Sequence, residues 1–389
     1  MSFQNDMIID NGTGAAVRAD LTDAFKSLAN NSSGNSAPST NYASQFFANT
    51  SSGIMQINNT SGNAFINLFT LAGGPAFAVD GTINSVNIGK GANSATGNTV
   101  LGEDALDASV SGTNNTAIGK NTLTNLTSAN TCTAVGSGAL KENTTGGNNV
   151  AVGADALDAN TTGGNNVALG KNALGANSTA GDNTAVGNGS LFANTTGTRN
   201  TSVGANALDA NTTANDNVAV GYNAGGANTT GASNTFVGSE TGEDTTTGYS
   251  IAAFGKRALY QNTTGNSNTA IGKDALYENT TASNNTAVGT DALQANTTGG
   301  DNTACGSIAL DANTTGTNND AFGRNALGKN TTASNNVALG NNSLSNNTTG
   351  ASNTAGGVSA LFTSTTGSNN TAFGYQSLYA NTTGIRNTS

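Results

Sequence analysis

The sequence predicts an all-β fold in which the chain winds as a repeat β-solenoid. The first observation is a glycine that recurs every 17 residues without insertion, from Gly102 through Gly119 to Gly374. The second is the composition, with 9% charged and 5% aromatic residues, which is poor in the bulky apolar side chains of a globular core. The third is that only two prolines are present, Pro38 and Pro75, whereas disordered chains are usually rich in proline and charge. A strict short period with this composition indicates stacked, hydrogen-bonded coils.

The repeat unit reads Asn-Thr-Ala-Val-Gly-x-x-Ala-Leu-x-x-Asn-Thr-Thr-Gly-x-x. Seventeen full units fit between Asn98 and Arg386, and an eighteenth begins at Asn387. Positions are numbered from the leading Asn, and the residues that share a position in successive units are called a column. Such a unit is too short for a helix pair and suits one coil with two or three short strands joined by Gly and Asn turns. Coils about 4.8 Å apart would stack into a rod of roughly 80 Å.

Columns 4 and 9 are the predicted core. Column 4 holds an aliphatic residue before the repeated glycine, and column 9 is Leu in fifteen of the seventeen units, with Gly225 and Gly242 as the exceptions. Stacking these columns in register is expected to form one continuous narrow apolar core. The residues that we assign to the structural core are Val152, Gly153, Leu157, Leu169, Gly170 and Leu174.

The residues before the repeated glycine also predict self-association. Column 3 is mostly Ala, and alternation along a strand sends columns 3 and 4 to opposite faces. Both faces are apolar, so one is expected to fill the coil and the other to meet a neighbouring chain across a three-fold axis. Because a single coil encloses little volume, a thin monomeric rod would be marginal. The sequence therefore favours a parallel homotrimer, and the alternative is a wider monomeric solenoid with a half-exposed Ala column.

The polar columns are interpreted as structural. Stacked identical Asn side chains at position 12 are expected to hydrogen-bond along the stack. The Asp residues beside the Leu column, such as Asp104 and Asp274, are scattered among units and are interpreted as a solvated face. Cys305 stands in column 4 and is interpreted as a small core residue.

The first hundred residues follow a different pattern. Thr13 is a candidate cap for a helix from about Gly14 to Leu28, and three short runs at 42–47, 54–58 and 65–71 predict a β-meander. The predicted divisions are an N-terminal helical anchor over 1–31, the meander over 32–71, a transition and capping coil over 72–97, and the repeats over 98–389. The candidate partner-docking residues on the helix are Val17, Leu21 and Phe25.

Several function classes are not favoured by the sequence. The formal net charge of −10, without a basic stripe, argues against nucleic acid. The N-terminus lacks the basic start and apolar run of a signal peptide, and the most apolar stretch, 65–79, is too short and too interrupted to span a bilayer. No unit carries a distinctive acidic cluster, and we predict no catalytic residues, no metal site and no cofactor.

The repeat resembles the head and shaft repeats of trimeric adhesins and phage tail fibres. Residues 1–71, which include IIDNGTGAAVRADL, resemble the N-terminal part of tail fibres from marine, cyanophage-like T7-like podoviruses. This resemblance implies a structural protein of the virion tail. Residues 1–71 would dock to a tail or adaptor protein, and the shaft would extend towards a glycan or protein on the host surface.

Two other functions stay open at this point. A bacterial trimeric surface adhesin would use the same rod at the cell surface, although the signal peptide and C-terminal anchor expected of an autotransporter are not visible. A tailspike-type glycan-degrading enzyme would need paired carboxylates in a groove.

Overall fold

The structure is a computed structural model that describes residues 33–34, 46–49, 54–58, 65–70, 81–83, 86–91, 95–108 and 110–389. The chain divides into two compact units, 1–82 and 83–389. The predicted helix and its docking residues Val17, Leu21 and Phe25 lie outside the described residues, so they stay predictions.

The first unit contains a small four-stranded sheet. Its strands are β1 (Ser33–Gly34), β2 (Phe46–Asn49), β3 (Ile54–Asn58) and β4 (Phe65–Thr70). β1 pairs parallel with β2, and β2, β3 and β4 follow one another in antiparallel order. The predicted meander is therefore present in β2, β3 and β4, and residues 42–45 of its first predicted run lie outside the described residues. β5 (Gly81–Ile83) follows at the boundary between the two units.

The second unit is a parallel β-solenoid. β6 (Val86–Gly89) pairs antiparallel with β7 (Thr99–Gly102), and each later strand pairs parallel with the strand 17 residues further along. The register never changes, so that Ala151 lies opposite Ala168 and Ala168 opposite Ala185. The later strands are β8 (Thr116–Ile118), β9 (Thr133–Val135), β10 (Val150–Val152), β11 (Val167–Leu169), β12 (Thr184–Val186), β13 (Thr201–Val203), β14 (Val218–Val220), β15 (Thr235–Val237), β16 (Ala252–Phe254), β17 (Thr269–Ile271), β18 (Thr286–Val288), β19 (Thr303–Cys305), β20 (Asp320–Phe322), β21 (Val337–Leu339), β22 (Thr354–Gly356) and β23 (Thr371–Phe373).

Each coil contains one strand, and the expectation of two or three strands per coil was wrong. After the strand the backbone turns through residues with left-handed φ angles, for example Asp155 at 55°, Leu157 at 53° and Asn165 at 61°. Such residues interrupt extended structure. The coils nevertheless stay hydrogen-bonded through the turns, since the Leu157 amide donates to the Ala173 carbonyl at 3.0 Å.

The interior is formed by columns 3, 8 and 9. Ala151, Ala156 and Leu157 have no exposed surface, and Leu174 is equally buried one coil further on. Val152 and Leu169, which the sequence analysis placed in the core, are 37% and 38% exposed in the single chain, and Cys305 of the same column is also exposed. The assignment of column 4 to the coil interior was therefore wrong. Strand alternation sends column 3, which is mostly Ala, inward beside the Leu residues of column 9, and it sends column 4 outward.

The repeated glycine allows the coils to approach closely. Gly153 has φ of 140°, and a Cβ atom placed there would lie 2.5 Å from the carbonyl oxygen of Gly170. Gly170 stands in the same relation to Gly187, at 2.4 Å. Column 5 therefore requires glycine for both its conformation and its packing.

The two glycines that interrupt the Leu column are explained by one phenylalanine. Phe236 replaces Ala in column 3 and is fully buried. A Cβ atom on Gly225 would lie 2.7 Å from the Phe236 ring, and a Cβ atom on Gly242 would also collide with that ring. Phe236 thus occupies the volume that two Leu side chains fill elsewhere in the stack, which keeps the interior densely packed.

Candidate functional site

Two ladders of buried asparagines run along the solenoid. In column 12, the Asn160 side-chain amide donates to Asn143 Oδ1 at 2.8 Å and to the Gly163 carbonyl at 3.0 Å. In column 1, the Asn166 backbone amide donates to Asn149 Oδ1 at 2.9 Å. The sequence-predicted asparagine ladder is therefore present, and a second ladder accompanies it.

The two ladders meet at the carbonyl groups of column 15. The Gly163 carbonyl accepts from Asn160 Nδ2 and also from Asn149 Nδ2, the latter at 2.7 Å. Each coil is thus linked to the next by buried side chains as well as by backbone pairs. Because buried amides are costly when unpaired, these links hold the register of the stack.

The outward face of the strand ladder consists of columns 2 and 4 and is called the apolar strip here, although column 2 is Thr in eleven of the seventeen units. Column 4 carries no charged residue in any of the seventeen units, and column 2 carries one, Asp320. Columns 2 and 4 point outward because column 3 points inward, as the strands show by their burial. The large apolar residues of column 4 that are exposed are Leu101, Val152, Leu169, Val203, Val220, Phe254, Ile271, Phe322, Leu339 and Phe373.

Charged residues cluster in other columns. Arg257 makes paired hydrogen bonds of 2.9 Å each to the two Asp274 carboxylate oxygens, and Lys273 Nζ lies 2.8 Å from Asp274 Oδ2. The Asp274 side chain is 3% exposed, which corrects its interpretation as a solvated residue. Burial acts to raise the pKa of Asp274, but the hydrogen bonds and charges of Lys273 and Arg257 outweigh it and hold that pKa below its usual range.

Residues of columns 7 and 10 line shallow recesses on the surface of the solenoid, which the sequence analysis did not predict. One, of about 310 Å³, is lined by Asn206, Asp209, Asn223, Gly226, Ala227, Glu243 and Asp244. An adjoining one, of about 200 Å³, is lined by Asn172, Asn188, Gly189, Phe192, Asn206 and Asp209. One sequence feature could have indicated a recess. Gly226 stands in column 10 between the acidic residues Asp209 and Glu243, which lie one coil before it and one coil after it.

Burial raises the pKa values of two carboxyl groups in these recesses. Desolvation is the largest cause for both Asp209 and Glu243, and nearby acidic residues add to the effect at Glu243. Within the described residues, no group of three or more His, Cys, Asp or Glu side chains is arranged to hold a metal ion. Over the same part of the chain, no helix has the length and hydrophobicity needed to cross a membrane.

No family model, no curated protein and no solved structure matches this chain. The regular stack of coils, the apolar strip and the recesses are therefore the observations on which a function can be argued.

Proposed function

We propose that the protein is a structural fibre of a virion tail, in which residues 98–389 form a rigid shaft that holds the host-binding end away from the particle. The uninterrupted parallel ladder from β7 to β23 carries this proposal. At about 4.8 Å per coil, the shaft extends roughly 80 Å. The sequence resemblance of residues 1–71 to tail fibres supports a virion origin, and a bacterial surface adhesin with the same rod is the alternative.

Rigidity follows from the three kinds of contact that join neighbouring coils. Backbone pairs join every two neighbouring coils, and buried amide ladders and close-packed Ala and Leu columns reinforce most of these steps. Since each coil contacts only its neighbours, the length of such a rod is proportional to the number of its units. This is the property that a spacer needs.

Electron microscopy of the purified chain tests the shaft. Deletion of 183–250 removes four whole units together with Phe236 and both of its compensating glycines, so the remaining columns stay in register. The rod is expected to shorten by about 19 Å at about 4.8 Å per coil. A rod of unchanged length, or a collapsed particle, would contradict the spacer function.

The apolar strip supports self-association as a parallel homotrimer. It is roughly 80 Å long, and a width of about 10 Å gives on the order of 800 Å² per copy, which each copy in a homotrimer would divide between its two neighbours. In a parallel, in-register assembly each residue of column 4 meets its own copies at the same height. The identical period of the copies makes this arrangement self-complementary along the whole strip.

Disulfide cross-linking distinguishes the possible arrangements of the copies. Cys305 is exposed in column 4, whereas Cys132 is buried, so mild oxidation is expected to link copies through Cys305 alone. In a Cys305→Val background, single cysteines at Val152 and at Leu339 should both cross-link if the copies are parallel. An antiparallel pair would link only near its two-fold axis. A folded monomer of 38.2 kDa at micromolar concentration would overturn the trimer.

Attachment through residues 1–71 is the remaining part of the proposal. We infer that residues 1–71 attach the fibre to a tail or adaptor protein, with Val17, Leu21 and Phe25 buried along the trimer axis or against that protein. A trimer-nucleating cap without a partner is the alternative. The test is a truncation that lacks residues 1–71, examined on intact particles by immuno-electron microscopy. Fibres that still assemble onto virions would show that docking lies elsewhere.

A further inference from the structure

The two recesses described above adjoin each other, because both are lined by Asn206 and Asp209, and together they are called the trough here. The trough crosses five coils, from the unit that contains Asn172 to the unit that contains Asp244. Four coil steps correspond to a length of about 19 Å. It therefore suits an extended ligand better than a single small molecule.

Two glycines create the trough. Gly226 occupies column 10, where Phe192 and Tyr260 place large aromatic side chains. A Cβ atom on Gly226 would lie 3.4 Å from Asp209 Oδ1, an ordinary contact, so the coil itself does not require glycine there. Gly189 leaves the corresponding gap in column 7.

The walls carry hydrogen-bonding groups along their length. Asp209, Glu243 and Asp244 offer carboxylate oxygens, and Asn206 and Asn223 offer amides. These three carboxylates take part in none of the ion pairs found among the described residues, in contrast to Asp216 and Asp274. Asn223 Nδ2 donates to Glu243 Oε1 at 3.4 Å, a long bond that leaves the carboxylate free to accept others.

Aromatic side chains of column 10 flank the acidic part of the trough. Phe192 lines one recess and is 45% exposed. Tyr260 follows Glu243 in column 10, one coil further along the stack. The Tyr260 ring stacks on Tyr277, with 5.2 Å between ring centroids. Column 10 thus runs from an aromatic ring, past two carboxylates separated by a gap, to a second aromatic ring.

We propose that this trough binds an uncharged oligosaccharide along the side of the shaft. Sugar hydroxyls would donate to the carboxylates and exchange hydrogen bonds with the Asn206 and Asn223 amides, while the Phe192 ring covers an apolar ring face. No basic side chain lines either recess, so glycans that carry sialic or uronic acids are repelled by the three carboxylates. The site binds without cleaving its ligand.

The trough is separate from the apolar strip, and the proposal that it binds a glycan does not depend on the fibre function. Its residues belong to columns 6, 7, 10 and 11, whereas the strip consists of columns 2 and 4. A substitution in the trough should therefore leave rod length and Cys305 cross-linking unchanged. If the glycan test fails, the rod-length and cross-linking results are unaffected. If either of those two tests fails, the glycan result is unaffected.

A printed array of neutral, sialylated and uronic-acid-containing glycans tests the proposal with the full chain. Retention on neutral glycans is expected to persist in EDTA and to fall at least tenfold in Gly226→Tyr, which fills the gap. The Gly226→Tyr chain should fold, because column 10 already carries Tyr260 and Tyr277. Gln294→Tyr is the matched control in the same column outside the trough, and it should bind like the unmodified chain.

Four results would overturn the assignment. They are absence of retention on every neutral glycan, equal retention of anionic glycans, loss of binding in EDTA, and unchanged binding by a folded Gly226→Tyr variant. Release of new reducing ends from a retained glycan would show that the site is hydrolytic and would overturn the binding-only assignment. Circular dichroism of each variant establishes that the comparison is between folded chains.

Discussion

Asn228 lies one coil before Thr245 in column 12, and neither Asn228 Oδ1 nor Thr245 Oγ1 has a hydrogen-bond partner although both atoms are buried. Elsewhere in the column, the next asparagine donates to the previous Oδ1, as Asn211 does to Asn194 at 2.9 Å. Thr245 interrupts this ladder because its side chain has no amide. The same interruption recurs where Ser364 follows Asn347, since Asn347 Oδ1 and Ser364 Oγ are also unpaired.

Replacement of Thr245 by Asn should therefore stabilise the shaft. The new amide can donate to Asn228 Oδ1 and to the Gly248 carbonyl, and each such bond contributes about 1 kcal/mol. We expect a higher midpoint of thermal unfolding for Thr245→Asn by calorimetry. Thr247→Asn, at an exposed position two residues away, is the control and should leave the midpoint unchanged. Equal midpoints for the two variants would show that the ladder contributes no stability.

Substitutions of Phe236 and of its two neighbouring glycines should have non-additive effects on stability. Phe236→Ala alone leaves a cavity and is expected to cost about 3–5 kcal/mol. Adding Gly225→Leu and Gly242→Leu restores the sequence of the ordinary coils, and their φ values of 61° and 58° are close to the 48° of Leu208. The triple variant should therefore recover most of the lost stability in chemical denaturation. No recovery would contradict the packing described here.

Charges introduced on the two sides of the strand should have different effects. Leu157→Asp places an unpaired carboxylate in the coil interior and should cost several kcal/mol, in the range of about 3–5 kcal/mol. Val152→Asp faces outward, so the coil should still form while association of the copies weakens. Circular dichroism and light scattering measure the two effects separately, and Lys171→Ala at an exposed position is the control. Unfolding by Val152→Asp in a monomeric background would show that column 4 faces inward.

Gly153→Ala tests the close approach of the coils. The new methyl group would collide with the backbone of the next coil, and overpacking of this kind costs about 1–3 kcal/mol, in addition to the strain of alanine at φ of 140°. Gly226→Ala, where a methyl group meets only ordinary contacts, should be almost silent by thermal denaturation. A small effect of Gly153→Ala on stability would mean that neighbouring coils can move apart at this position without loss of stability.

Asp274 predicts an acid-sensitive contribution to stability. Its pKa is lowered in the folded state, so its contribution is complete above the unfolded value of about 4 and is lost as the pH falls through the folded value. The stability difference between the unmodified chain and Asp274→Asn should therefore shrink below about pH 4. Asp216 is the exposed comparison, since its hydrogen bond to Arg199 lowers its pKa but solvent screens the pair. A difference that stays constant between neutral and acidic pH would contradict the role of Asp274.

The sequence predicted the period, the solenoid class and the asparagine ladder, because each depends on side-chain identity at a fixed spacing. It did not predict one strand per coil, since that depends on Leu157 and its equivalents adopting left-handed φ angles, which residues other than Gly, Asn and Asp rarely do. It also placed Val152 inside the coil, because alternation alone cannot say which of two apolar columns points inward. The trough was missed because Asp209 and Glu243 are 34 residues apart and become neighbours of one gap only after stacking.

The buried asparagines of column 12 also limit where this fold can be made. Asn143, Asn160 and Asn194 each begin an Asn-Thr-Thr tripeptide, which is the acceptor signal for N-linked glycosylation in a secretory pathway. In the folded chain these side chains have no exposed surface, so an oligosaccharyltransferase can reach them only before the coils close. A sugar attached at that stage cannot be accommodated between stacked coils, and it would block the ladder at that height. Synthesis in the endoplasmic reticulum of a eukaryotic cell should therefore yield glycosylated, misfolded chains, whereas a compartment without that enzyme allows the shaft to form.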